Sequence, residues 1–83
     1  MSADILLVDD DPKLLEIVSM SLSRQGYRVR TAVTGREALE HASGTVPHLL
    51  ILDLDLPDMS GIDVLDNIRV DHETLPVLRL SAQ

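Results

Sequence analysis

The chain contains no cysteine, no tryptophan and no phenylalanine, and Tyr27 is its one aromatic residue. Without cysteine there is no disulfide framework and no thiolate metal site, a composition that fits a reducing compartment. With a single aromatic, any core must be aliphatic, built from Leu, Ile, Val, Met and Ala. Long apolar runs are missing too. None exceeds the four residues of Leu49–Leu52, whereas about 20 are needed to cross a bilayer. The first residues lack a basic segment followed by a long apolar region, so no secretory leader is expected and a soluble, cytoplasmic protein is. Positive charge is scarce: 7 Lys and Arg stand against 14 Asp and Glu, and the net charge is −7. Phosphate backbones would be repelled, which disfavours nucleic-acid binding by this chain.

What is present reads as one small domain. At 83 residues the chain buries only about 60–65% of its unfolded surface, yet its 45% hydrophobic content argues against disorder. Ile5–Val8 is a short apolar run that ends in acids, as a strand would. Asp11-Pro12 has the form of a helix start, and Leu14, Leu15, Val18 and Leu22 follow at helical spacing. Gln25-Gly26 closes that helix. In "YRVRTA", Tyr27, Val29 and Thr31 alternate with Arg28 and Arg30, predicting a half-exposed edge strand whose arginines face water. Thr34 and Glu37 have capping-box spacing ahead of Ala38, Leu39 and Ala42. "HLLILDLDLP" lacks polar alternation, as expected of a central parallel strand covered on both faces. Pro57, Ser60 and Gly61 mark a turn, Ile62, Leu65 and Ile68 recur at helical spacing, and "LPVLRLS" reads as a fourth strand. The β-α-β-α-β-α-β order predicts an α/β fold with a parallel sheet and helices on both faces.

Two strands then end in carboxylates, at Asp9-Asp10-Asp11 and at Asp53-Leu54-Asp55. The C-terminal ends of parallel strands share one edge, where ligands bind at the reversal of strand order. If the first and third strands are neighbours, Asp9, Asp10 and Asp53 meet. Two carboxylates about 4 Å apart repel by roughly 4 kcal/mol at an effective dielectric of 20, so the cluster calls for a hard cation. Mg²⁺, octahedral and oxygen-loving, suits two carboxylates and a carbonyl. Asp11 reads instead as a helix cap. A carboxylate beside such an ion can also be a phosphoryl acceptor, and Asp53 closes the most apolar strand. Ser81, at the end of the fourth strand, could donate to a phosphoryl oxygen.

The segments "ILLVDDDPKLLEIV", "GYRVRTAVTGREAL", "LLILDLDLPDMSGIDVL" and "LPVLRLSAQ" resemble, in order and over nearly the whole chain, the receiver domain of two-component response regulators. The resemblance implies a flavodoxin-like, three-layer α/β/α fold with sheet order 2-1-3-4. It makes Asp53 the phosphoacceptor, Asp10 a direct Mg²⁺ ligand, Asp9 a ligand largely through water, and the Asp55 carbonyl the third protein ligand. Pro57 and Gly61 would shape the loop, and Ser81, followed by Ala82, would be the switch hydroxyl. The implied donor is a phosphohistidine of a sensor histidine kinase or phosphotransfer protein, with later hydrolysis of the acyl phosphate by water. A complete receiver continues into another helix, a fifth strand ending in lysine and a last helix. The sequence stops at Gln83 and its one lysine, Lys13, does not match. The expectation is therefore a receiver domain over residues 1–83, truncated at its C-terminus, impaired in phosphotransfer and self-associating through an open edge strand or helix face.

Two other readings stand beside it. One is a binding or assembly module derived from a receiver and independent of phosphorylation. The other is a haloacid-dehalogenase-like phosphatase, from the Asp53-x-Asp55 spacing. Pro57, the position on the third rather than the first strand, and the idle Asp9-Asp10 weigh against the phosphatase. His41, His48 and His72 lack ligand spacing and read as surface or loop residues, and Tyr27 as a strand-packing residue.

Overall fold

The structure, a computed structural model, describes residues 2–80. Its elements are β1 (Asp4–Val8), α1 (Pro12–Arg24), β2 (Arg28–Ala32), α2 (Gly35–Gly44), β3 (Leu49–Asp53), α3 (Gly61–Asp71) and β4 (Val77–Leu80). The four strands form one parallel sheet in the order β2-β1-β3-β4. This is the order the resemblance implied. The connection leaves β1 in one direction and returns to β3 on its other side, so the order reverses between β1 and β3.

Alternation along the strands sends side chains to two apolar layers. Ile5, Leu7 and Ile51 meet Leu15, Val18 and Leu22 of α1. Leu6, Val8, Leu50 and Leu52 meet Ala38 and Ala42 of α2 and Val64 and Ile68 of α3. The central strands are buried on both faces, which is why β3 reads as an unbroken Leu/Ile run. On α3 the buried seam is Gly61, Val64 and Ile68; Ile62, expected among the apolar contacts, is 40% exposed. It lies only one position from Gly61, and Gly61 takes the inward place because it must approach β3 closely.

Local chemistry sets the helix ends. The Asp11 carboxylate accepts from the Lys13 and Leu14 amides, with Pro12 at the first helical position. α1 stops where Gly26 turns to φ 95°. There the Gly26 amide bonds Ser23 O and the Tyr27 amide bonds Leu22 O, a Schellman closure. Thr34 caps α2 by accepting from the Glu37 amide, while the Glu37 carboxylate accepts from Val33 rather than from Thr34, one residue beyond the usual box.

At the opposite end of the sheet from the acids, Arg30 departs from the solvated role expected of it. Its Nε bonds the Asp4 carboxylate at 3.1 Å, and its Nη atoms donate to His41 O and Thr45 O at 3.1 and 2.7 Å. One guanidinium thus ties β2 to β1 and to the last turn of α2, whose carbonyls need donors. His48 keeps the loop position expected of it and adds a bond: its Nδ1 accepts from the Asp4 amide at 2.8 Å. Tyr27 lies just before β2 and is 42% exposed, rather than packed within a strand.

Candidate functional site

The pairing of Val8 with Leu52 in adjacent parallel strands puts the next residues, Asp9 and Asp53, side by side at the C-terminal edge. Asp10 follows Asp9 into the same mouth. One carboxylate oxygen from each of Asp9, Asp10 and Asp53 lies within 4.8 Å of the others. The three differ in setting: Asp9 is buried, Asp53 half-buried and Asp10 exposed. The site is where the strand order reverses, the place at which such sheets bind ligands.

Each inner acid is held by the backbone two residues on. The Asp11 amide donates to Asp9 Oδ1 at 2.9 Å, and the Asp55 amide donates to Asp53 Oδ1 at 3.0 Å. These Asx turns fix both carboxylates and leave each a second oxygen to offer. Burial pushes the Asp9 carboxyl up from its ordinary range. The Asp11 amide opposes that shift, and the charges of Asp53, Asp10 and Asp11 add to it. At 4.8 Å, two ionised carboxylates repel by about 3–4 kcal/mol at an effective dielectric of 20.

The loop after Asp53 is tightly tied. The Leu54 amide donates to Leu80 O at 3.2 Å, the Gly61 amide to Leu54 O at 2.9 Å, and Asp55 and Ser60 form an antiparallel bridge. A methyl at Gly61 would lie 2.5 Å from the Asp53 carbonyl oxygen and 2.6 Å from Leu54 Cα, both backbone atoms that cannot yield. Glycine is required there by close approach rather than by φ. The tip of the loop is held by Asp58, whose two oxygens accept from the Gly35 and Arg36 amides at 2.7 and 3.0 Å. Those bonds draw the Asp58 carboxyl below its ordinary value. Sequence reasoning passed over Asp58, because "LPDMSG" reads as a turn and its partners lie 22 and 23 residues away.

Asp9, Asp10, Asp11 and Asp53 line a groove of about 530 Å³ between α1 and β4, whose apolar wall is Leu7, Leu14, Val18, Ile51, Leu78 and Leu80. Asp55 follows Asp53 in the loop with its side chain exposed. Asp11 is absorbed in capping α1, as the sequence indicated. Ser81 lies outside the described residues. Three hard oxygen donors in one mouth, one of them raised in pKa by burial and then by crowding, form the donor set a small divalent cation such as Mg²⁺ takes.

The family pattern of the response regulator receiver domain matches residues 5–83. The chain is 46% identical over 79 residues to the probable transcriptional regulatory protein TcrX of Mycobacterium tuberculosis, covering 95% of this chain and 34% of that protein. It is 48% identical over 79 residues to the transcriptional regulatory protein KdpE of the same species, with the same shares. It thus spans about a third of the length of these relatives. The chemotaxis response regulator CheY4 of Vibrio cholerae superposes with a TM-score of 0.97 at 33% identity, over 100% of this chain and 71% of that one. Sequence, topology and strand-edge acids agree: the chain belongs to the response regulator receiver domain family of two-component signalling proteins.

Proposed function

We propose that this receiver accepts a phosphoryl group on Asp53, with Mg²⁺ held by Asp9, Asp10, Asp53 and the Asp55 carbonyl. The observation that carries the reading is the convergence of three carboxylates from two strands within 4.8 Å. Such a grouping weakens the fold unless a cation offsets it, and it surrounds the oxygen that would attack. When bound, the ion would neutralise charge on the phosphoryl oxygens and on the acids that otherwise repel them.

The protein's own part is positioning. Asp53 Oδ1 is tied to the Asp55 amide, which leaves Oδ2 as the oxygen that would attack. The Oδ2–phosphorus bond forms as the phosphorus–nitrogen bond of a donor phosphohistidine breaks, and the imidazole leaves. Asp9 and Asp10 hold the ion rather than react. Ser81 is the proposed hydrogen-bond donor to a phosphoryl oxygen. The phosphoryl donor is a sensor histidine kinase or a phosphotransfer protein. The chain acts as a phosphoacceptor in signalling rather than as a turnover enzyme, with at most weak autophosphorylation and autodephosphorylation.

The test is incubation with acetyl phosphate and Mg²⁺, followed by intact-mass and peptide-mass measurement. One phosphoryl adduct on Asp53, lost on addition of a chelator and in Asp53→Asn, is the expected result. No Mg²⁺-dependent adduct or beryllofluoride-induced change in well-folded protein would overturn it.

A second reading, a module that assembles without phosphorylation, is favoured by one observation. The groove between α1 and β4 has an apolar wall of Leu7, Leu14, Val18, Ile51, Leu78 and Leu80, and Leu78 is 53% exposed. The two readings compete for one surface, because Asp9, Asp10, Asp11 and Asp53 line the same groove as Leu78 and Leu80. No observation favours the phosphatase. Asp9 and Asp10, drawn in with Asp53, have no task in that scheme.

A further inference from the structure

Both inner acids are joined to the rest of the fold through the backbone, and the joins run in a circle. From Asp9, the amide bonds Ala32 O at 3.1 Å, and the chain continues through Val33 and Thr34 into α2. The Gly35 and Arg36 amides then bond the two oxygens of Asp58. From Asp58 the loop returns to Asp55 across the Asp55–Ser60 bridge. The Asp55 amide reaches back to Asp53, and β3 lies beside β1. Every link but one is main chain or local to the acids. Met59 seats the same corner from below: a methyl on Gly35 would overlap the Met59 side chain and press Val64.

We propose that Asp58 is a positioning residue for the acid cluster: by bonding the first turn of α2 it closes this circle and fixes the Asp55 backbone relative to Asp9 and Asp53. Both Asp58 oxygens accept from amides that the helix itself leaves without partners, so its grip is strong for an exposed side chain. Without it, the loop tip loses its hydrogen bonds to α2 and keeps only the Met59 contact. The Asp55 amide then holds Asp53 less firmly, and the Asp55 carbonyl loses its fixed place. The metal consequence rests on the function proposed above; the positioning of Asp55 does not.

Two measurements separate them. The first is amide hydrogen exchange by NMR on metal-free protein, comparing wild type with Asp58→Ala, Asp58→Ser and Asp66→Asn. Serine keeps an acceptor for the α2 amides but no charge, whereas Asp66→Asn removes an exposed α3 charge only. Exchange at Asp55 is expected to quicken by about tenfold in Asp58→Ala, to stay near wild type in Asp58→Ser, and to be unchanged in Asp66→Asn. The Leu7 amide, a reporter of global opening, should move much less. Unchanged exchange at Asp55, or equal quickening at Leu7, would overturn the proposal.

The second is calorimetric titration with MgCl₂ at low and high salt. About tenfold weaker binding is expected for Asp58→Ala, persisting at high salt, with Asp66→Asn within about twofold of wild type. Equal weakening in the Ala and Asn variants would reduce Asp58 to its charge and overturn the positioning role. If wild type takes up no Mg²⁺, the metal reading fails and the exchange data alone decide for or against Asp58.

Discussion

At the scale of residues, Asp9 and Asp58 respond to protons in opposite senses. Burial and neighbouring acids raise the Asp9 pKa above its ordinary 3.8, so the folded chain binds that proton more tightly than the unfolded one. Stability from this group is full below 3.8 and is lost as pH rises through the raised value. Asp58 is lowered from 3.8 by its helix amides. Its contribution is present above that value and is lost as pH falls through the lowered one. Thermal melts of metal-free protein across pH should therefore show two limbs. Asp9→Asn is expected to remove the decline on the alkaline side and raise the melting temperature at pH 7 by several degrees, since each kcal/mol shifts a domain of this size by roughly 4–8 °C. Mg²⁺ should stabilise wild type but not this variant. A melting temperature at pH 7 unchanged by Asp9→Asn would show that the cluster is not under strain. Asp9, Asp10 and Asp53 stood out in the sequence because they lie at the C-terminal ends of two apolar runs, Ile5–Val8 and Leu49–Leu52. Asp58 was not, because its meaning depends on a helix N-terminus brought up by the fold.

At the scale of elements, strands and helices followed from period, caps and glycines, and the misses came where tertiary contact overrode local pattern. Arg30 alternates with apolar residues as a solvated side chain would, yet the last turn of α2 and the buried carboxylate of Asp4 claim its guanidinium. Arg30→Met would strand that carboxylate, whose side chain is 11% exposed, and should cost on the order of 3 kcal/mol in urea unfolding. Adding Asp4→Asn should recover much of the loss. A full, unrecovered loss in the double variant would assign the cost to the α2 carbonyls instead. Ile62 matched a helical spacing but yielded the inward place to Gly61. Gly61→Ala, which drives a methyl into the β3 backbone, is expected to cost about 1–3 kcal/mol and to weaken Mg²⁺ binding together with stability. A variant as stable as wild type would mean that the turn has slack.

At the scale of the whole molecule, the layers are unequal. α2 and α3 pack on one face of the sheet, and α1 serves the other, leaving the groove beside β4. β4 pairs only with β3 among the described residues. An apolar strand edge left unpaired is a template for another chain, and Arg79 is the one charge in Val77–Leu80. Dimers or larger species are expected at micromolar concentration by light scattering, and Leu78→Lys should restore monomers. Because each copy carries −7, association should strengthen as salt rises. A clean wild-type monomer under these conditions would refute it. The fourth strand was legible in "LPVLRLS"; the groove beside it depends on where α1 lies and could be seen only in three dimensions.

The aliphatic make-up has a practical consequence. With its lone phenol at the opposite rim from the acids, the protein is nearly dark to fluorescence and near-ultraviolet dichroism where its chemistry would occur. The thioether of Met59 sits against Gly35, inside the circle that Asp58 closes, and Met20 rides on the outer side of α1 as a spectator. A ¹³C-methyl label on methionine would thus supply a built-in beacon and its own reference, reading loop and helix together without any engineered dye.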